Sequence, residues 1–292
     1  MSLKVPFKQV DVFTNKPFKG NPVAVVSCLD ISEDEITTEQ LQNIAIWTNI
    51  SETTFLFKPK DPSHDYKLRI FAPTNELPFA GHPTVGSCKA FMEFTGAKKS
   101  KIYQECGVGV VELSIKDDEV ISFEANQTIV EDFNKEHARS FENVLGVQTI
   151  TEPKLLNVGP KWLVYLVDNS DIAYNTDPNY GNLASLCKEN NYTGIILGGK
   201  KVNKENEYEI RAFAGGVNVD EDPVCGSGAL SFIRYLNEVY KYSSTTPIKI
   251  TQGGRVNRDG RIEALIKINA EGQPSYHVGG QAVTVVDGHI IL

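Results

Sequence analysis

At 292 residues, 41% of them hydrophobic and 23% charged, the chain can fill a sizeable core and fits about two domains at ~150 residues each, which excludes disordered and fibrous classes. Its 37 acidic against 29 basic residues give a net charge of −8, and no basic block is longer than Lys98-Lys99-Ser100-Lys101, so nucleic acid is not an expected partner. Five cysteines without a CxxC pair, no secretion signal and no apolar run near ~18 residues point to a reduced, soluble, cytoplasmic protein with no membrane association.

Short or alternating apolar runs predict strands over 8–13, 22–28, 53–57, 67–71, 110–115 and 120–123. The same texture resumes over 155–158, 162–167, 193–197, 208–213, 248–251, 261–268 and 281–286. Helical spacing links Leu41, Ile44, Ala45 and Thr48, then Val85, Cys88, Phe91 and Met92. It recurs at Ala138, Phe141, Val144 and Leu145, and at Ala229, Phe232, Ile233, Leu236 and Val239, for four or five helices in all. Pro83 suits the first turn of the second helix, because its missing N–H has no intrahelical partner to lose there. Strands mostly follow strands, which favours an α+β fold with a largely antiparallel sheet.

One pattern occurs twice. Arg69-Ile70-Phe71-Ala72 leads to Gly81-His82 and a helix, and Arg211-Ala212-Phe213-Ala214 leads to Gly226-Ser227 and a helix. Gln104 to Gly107 against Gln252 to Gly254 continues the parallel. The expectation is two similar lobes, 1–128 and 129–277, joined near 126–136. Whether the strands over 278–292 return to the first lobe is left open by the sequence.

The paired helix starts are the best chemical candidates. Small residues at Gly81-His82-Pro83-Thr84 and Gly226-Ser227-Gly228-Ala229 let a ligand reach backbone N–H groups at the positive end of a helix, which suits a carboxylate. Plain capping is the competing reading at either motif alone. Glu52, at the mouth of a strand with Phe55 and Trp47 nearby in sequence, is a candidate proton shuttle if those neighbours desolvate it; otherwise it is one more solvated acid. His82 is placed to donate to an anion or transfer a proton, and Asp222 to cap a turn or orient a ligand. Cys225, beside a helix N-terminus, invites a lowered thiol pKa and thiolate chemistry, yet its first-half counterpart is Ala80, so a two-thiol racemase is only half present. The remaining histidines, at 64, 137, 277 and 289, form no metal spacing, and no metal is expected.

Those residues, together with Asp11-Val12-Phe13-Thr14, Gly20-Asn21-Pro22-Val23-Ala24-Val25, Asn49-Ile50-Ser51-Glu52-Thr53-Thr54-Phe55, Glu76-Leu77-Pro78-Phe79-Ala80 and Glu221-Asp222-Pro223-Val224, resemble the phenazine-biosynthesis PhzF-like family. The resemblance implies a fold similar to diaminopimelate epimerase: two alike lobes, each a barrel-like sheet around a central helix, in a homodimer with the site between the lobes. It also implies a cofactor-independent isomerase acting on a small carboxylate-bearing substrate. In that family the best-understood reaction moves a proton between ring carbons of trans-2,3-dihydro-3-hydroxyanthranilic acid. Carried onto this chain, Glu52 matches the proton shuttle, His82, Asp222 and Ser227 match groups that contact substrate and assist proton transfer, and Gly81 and Gly226 match the glycines at the helix starts. The second motif reads Cys225-Gly226-Ser227-Gly228, closer to cysteine-dependent epimerases than to the family's common Thr-Gly-Ser-Ala. A Cys225-dependent amino-acid racemase or epimerase and a non-catalytic binding protein therefore stand as alternatives.

Overall fold

The computed structural model describes residues 3–125 and 128–292. The expectations that touch residues 1–2 (the chain start) and 126–127 (part of the joining segment) lie outside them. The described chain is mixed α and β, with many strands and few helices, and it divides into two compact units, Met1–Glu124 with Gly279–Leu292, and Ala125–Val278.

The first unit runs β1 (Lys4–Val12), β2 (Asn21–Ser27), α1 (Thr38–Thr48), β3 (Glu52–Phe57), β4 (Tyr66–Phe71), β5 (Glu76–Leu77), α2 (Gly81–Thr95), β6 (Lys101–Cys106), β7 (Gly109–Ile115) and β8 (Ile121–Glu124). Its pairings alternate: β1 with β2 antiparallel, β2 with β3 parallel, β3 with β4 antiparallel, β4 with β6 parallel, β6 with β7 antiparallel. Parallel neighbours need a crossover, and each of these two crossovers contains a helix, α1 in one and α2 in the other. With β4–β5, β7–β8 and the last strand's pairing on β1 also antiparallel, the sheet is largely antiparallel as expected, and the parallel β2–β3 and β4–β6 pairs are set into it.

The second unit contains β9 (Ile129–Glu131), α3 (Lys135–Leu145), β10 (Lys154–Asn157), β11 (Lys161–Val167), α4 (Ser170–Asn175), α5 (Tyr180–Glu189), β12 (Gly194–Lys200), β13 (Glu207–Ala214), β14 (Val219–Asp222), α6 (Gly226–Tyr240), β15 (Thr246–Gln252), β16 (Gly260–Ile268) and β17 (Pro274–Gly280). Strands β10, β11, β12, β13, β15 and β16 pair in the same alternating series, with α4 and α5 in one crossover and α6 in the other. The last strand, β18 (Ala282–Ile291), pairs antiparallel with β1, from Lys4 opposite Ile291 to Val12 opposite Ala282.

Helix α2 is buried along its length from His82 to Cys88, because Val85, Cys88 and Phe91 face apolar strands and Gly86 permits close approach. A Cβ at Gly86 would lie 2.3 Å from Val23 Cγ1 and 2.8 Å from Val12 Cγ2. Helix α6 is likewise buried at Gly226 and from Gly228 to Ile233. Such helices, apolar on nearly every face, belong in a core.

Several elements escape the sequence reading. Strand β6 conceals its alternation because the inward position after Ile102 is the fully buried polar Gln104. Helix α4 has only six residues, and α5 buries only Leu183 and Cys187, too short a stripe to register as a period. Strand β9 falls where a joining segment was expected.

Candidate active site

Helix α1 begins with a capping box, in which Thr37 Oγ1 accepts from the Gln40 N–H at 3.2 Å and Gln40 Oε1 accepts from the Thr37 N–H at 2.8 Å. It ends at Asn49, whose φ of 53° is left-handed, a conformation asparagine tolerates better than most residues. The chain then turns into β3, and Glu52 becomes that strand's first residue, opposite Val23 of β2. Trp47 does not desolvate it, since the indole is 78% exposed.

What shields Glu52 is α2. The imidazole of His82, the second residue of that helix, places Nε2 3.2 Å from Glu52 Oε2. The two atoms are within reach of proton exchange without the alignment of a finished hydrogen bond, as is common before substrate binds. Burial pulls the His82 pKa down to about 3, only partly opposed by its hydrogen bond to the Pro22 carbonyl, so the ring is neutral at pH 7. A ring nitrogen that faces a carbonyl must carry the proton, which leaves Nε2 bare. The Glu52 carboxyl and the bare Nε2 of His82 thus face each other across 3.2 Å.

The first turn of α2 is fixed from behind. Gln104 Nε2 donates to Thr84 Oγ1 at 3.2 Å while its Oε1 accepts from the Tyr66 hydroxyl at 3.0 Å. Thr54 Oγ1 meets Ser87 Oγ at 2.8 Å, tying the helix to β3. Gly81 opens the helix after Ala80, which supplies no side-chain cap.

In the second unit Asp222 ends β14 and folds back, its Oδ1 accepting from the Val224 N–H at 3.0 Å. The N-cap of α6 is Cys225, whose Sγ accepts from the Gly228 N–H at 3.2 Å. Gln252 clamps this turn: Oε1 accepts from the Cys225 N–H at 3.0 Å and Nε2 donates to the Asp222 carbonyl at 2.8 Å. Ser227 Oγ lies 3.5 Å from Cys225 Sγ and accepts from Trp162 Nε1 at 3.1 Å. Burial raises the Asp222 carboxyl to about 6, against the lowering effect of its hydrogen bonds.

The same burial, reinforced by the Asp222 charge, pushes the Cys225 thiol well above its ordinary range. This corrects the expectation of a lowered thiol pKa: desolvation outweighs the helix end, and the group remains a thiol at neutral pH.

The structure thus brings Glu52 to His82 beside Gly81 in the first unit, and gathers Asp222, Cys225, Gly226 and Ser227 in the second. Gln104, Gln252 and Trp162 carried no role in the sequence reading. The two glutamines were visible only as matched positions in the repeat. Among the described residues no group of three or more His, Cys, Asp or Glu side chains is disposed to hold a metal ion, and no helix is long and apolar enough to cross a membrane.

Known proteins match the chain over nearly its full length. The chain is 39% identical to the Schizosaccharomyces pombe protein named antisense-enhancing sequence 1, over 97% of each chain. It is 28% identical to a trans-2,3-dihydro-3-hydroxyanthranilate isomerase of Pseudomonas fluorescens, over 97% of this chain and 98% of that one. In fold it matches the crystal structure of a Bacillus anthracis phenazine biosynthesis protein of the PhzF family, with a TM-score of 0.82 at 23% identity, covering 99% of this chain and 100% of the other. The family model described as phenazine biosynthesis-like protein matches residues 10–288, and with that span the chain belongs to the phenazine biosynthesis-like, isomerase-type family.

Proposed function

We propose that the chain is an isomerase that moves a proton within a small carboxylate-bearing substrate, without a cofactor, and that the Glu52–His82 pair is its shuttle. The observation that carries this reading is the 3.2 Å approach of a neutral, buried imidazole to the Glu52 carboxyl. The Glu52 carboxylate can take a proton from one carbon and return it to another, with the neutral imidazole of His82 beside it able to hold the proton in between. The uncapped start of α2 at Gly81 and the tight turn at Gly226 are each a candidate carboxylate-binding turn, and Asp222 and Ser227 candidate orienting groups. The named activity of the Pseudomonas fluorescens relative supports the reaction class and supplies a compound to test. We also read the matched pairing series as a duplicated α+β lobe of the diaminopimelate epimerase type.

The test is solvent exchange. Turnover of trans-2,3-dihydro-3-hydroxyanthranilate in deuterated water should place deuterium on a substrate carbon. Glu52→Gln keeps size and polarity but removes the transferable proton, so kcat should fall by at least ~10² while binding persists. Cys225→Ser should cost little, since a protonated, buried thiol is already a poor base. The opposite ranking would establish a cysteine racemase. Binding without exchange across a broad panel of carboxylates would establish a non-catalytic binder.

A further inference from the structure

Trp162 is the second residue of β11, opposite Leu156 of β10 and Gly194 of β12. The ring needs Gly194: a Cβ there would lie 2.8 Å from Trp162 Cζ3 and 1.9 Å from the Phe213 carbonyl oxygen. With only 2% of its surface exposed, the indole still has one polar atom to satisfy, and it does so by donating from Nε1 to Ser227 Oγ at 3.1 Å.

An indole N–H donates and never accepts. Ser227 Oγ must therefore spend a lone pair on Trp162, and its own hydrogen cannot point that way. The other neighbour, Cys225 Sγ, makes a long 3.5 Å contact in which either atom can donate, and it already accepts from the Gly228 N–H. With the thiol as donor in that contact, the hydroxyl hydrogen is left for an acceptor brought by the ligand. We infer that Trp162 is a positioning residue that sets Ser227 as a hydrogen-bond donor, so that this part of the site selects a substrate oxygen able to accept, as a carboxylate does. This deepens the proposed function and rests on it for the identity of the ligand.

The experiment begins from Trp47→Phe, which leaves Trp162 as the only tryptophan. In that background the ¹⁵N–¹H signal of the Trp162 indole should shift on Ser227→Ala, a measurement that needs no substrate. With trans-2,3-dihydro-3-hydroxyanthranilate, Trp162→Phe should raise KM about three- to tenfold, the loss of one neutral hydrogen bond, with kcat changed by less than about twofold. Ser227→Ala should do at least as much, and adding Trp162→Phe to it should cost nothing further. Losses that multiply in the double variant, or fall on kcat alone, would show that Trp162 acts through packing and overturn the inference. If Trp162→Phe does not fold, 3-benzothienylalanine at position 162 keeps the bicyclic shape and replaces only the N–H. Should the wild-type chain neither bind nor convert the compound, the proposed activity fails by itself. The indole signal then decides this inference, a shift on Ser227→Ala supporting it and an unmoved signal overturning it.

Discussion

The protonation of His82 is set by a contest between desolvation and one hydrogen bond, and desolvation wins. Its pKa near 3 in the folded chain lies below the ordinary value of 6.5 that the unfolded chain retains. The folded state therefore binds fewer protons over that interval, and stability present above pH 6.5 is lost as pH falls through it towards 3. Between pH 7 and pH 5 the wild-type chain should lose about 2 kcal/mol more than His82→Asn, at roughly 1.4 kcal/mol per pH unit below 6.5. Asparagine retains a donor for the Pro22 carbonyl and has no group to titrate. Urea denaturation at both pH values measures the difference. Parallel losses in the two proteins would mean that His82 is a cation paired with a carboxylate, and the neutral imidazole would be refuted.

Strands β4 and β13 carry the same local device to different depths. Arg69 reaches across to Glu76 with Nε–Oε1 at 2.8 Å and Nη2–Oε2 at 2.7 Å, over the Phe71 ring. Arg211 reaches across to Glu221 with Nε–Oε1 at 2.8 Å and Nη2–Oε2 at 2.6 Å, over the Phe213 ring. Side-chain exposure is 13% and 38% in the first pair, against 2% and 3% in the second. Arg211 also donates to the Tyr174 and Thr176 carbonyls and to the Tyr180 hydroxyl, so it staples the α4–α5 segment to β13. Removing one member of a fully buried pair strands the other charge, so Arg211→Met should cost about 3–5 kcal/mol. The partly solvated pair should yield about 1 kcal/mol or less on Arg69→Met. Thermal or urea unfolding of the two variants reads the contrast. Equal losses would mean that burial does not govern these pairs.

Across the whole molecule, the two ends of the chain meet in one unit. Strand β18 pairs with β1 along all nine residues of β1, and Thr284 Oγ1 donates to Glu93 of α2 at 2.7 Å. Lys8 of β1, almost fully buried, closes the cluster on Glu93 at 3.1 Å and Asp287 at 2.9 Å. Deleting residues 282–292 would expose the edge of β1 and leave Lys8 without Asp287. The truncated chain should lose protection from hydrogen exchange in β1 and α2 and aggregate through the open edge, while β11 to β13 stay protected. Uniform protection in both units would show β18 to be dispensable.

Local rules placed most of this fold within reach of the sequence. Periodicity located thirteen of the strands and the helices α1, α2, α3 and α6, because apolar alternation and i, i+3, i+4 spacing are properties of neighbouring residues. The Gly81 and Gly226 helix starts and the candidate acid Glu52 came from the same source. Properties set by distant residues did not. Arg69 and Arg211 sit in matching Arg-x-Phe-Ala segments, yet only one pair is sealed from solvent. Gln104 reads as a surface residue until Tyr66 and Thr84 close around it. A neutral His82 and a protonated Cys225 depend on desolvation, which no residue carries in its own side chain. Sequence by itself determined most of the elements and named the candidate side chains. The tertiary structure alone decided their charge states, because the solvation free energy of an ionised group depends on how much packed chain replaces its water.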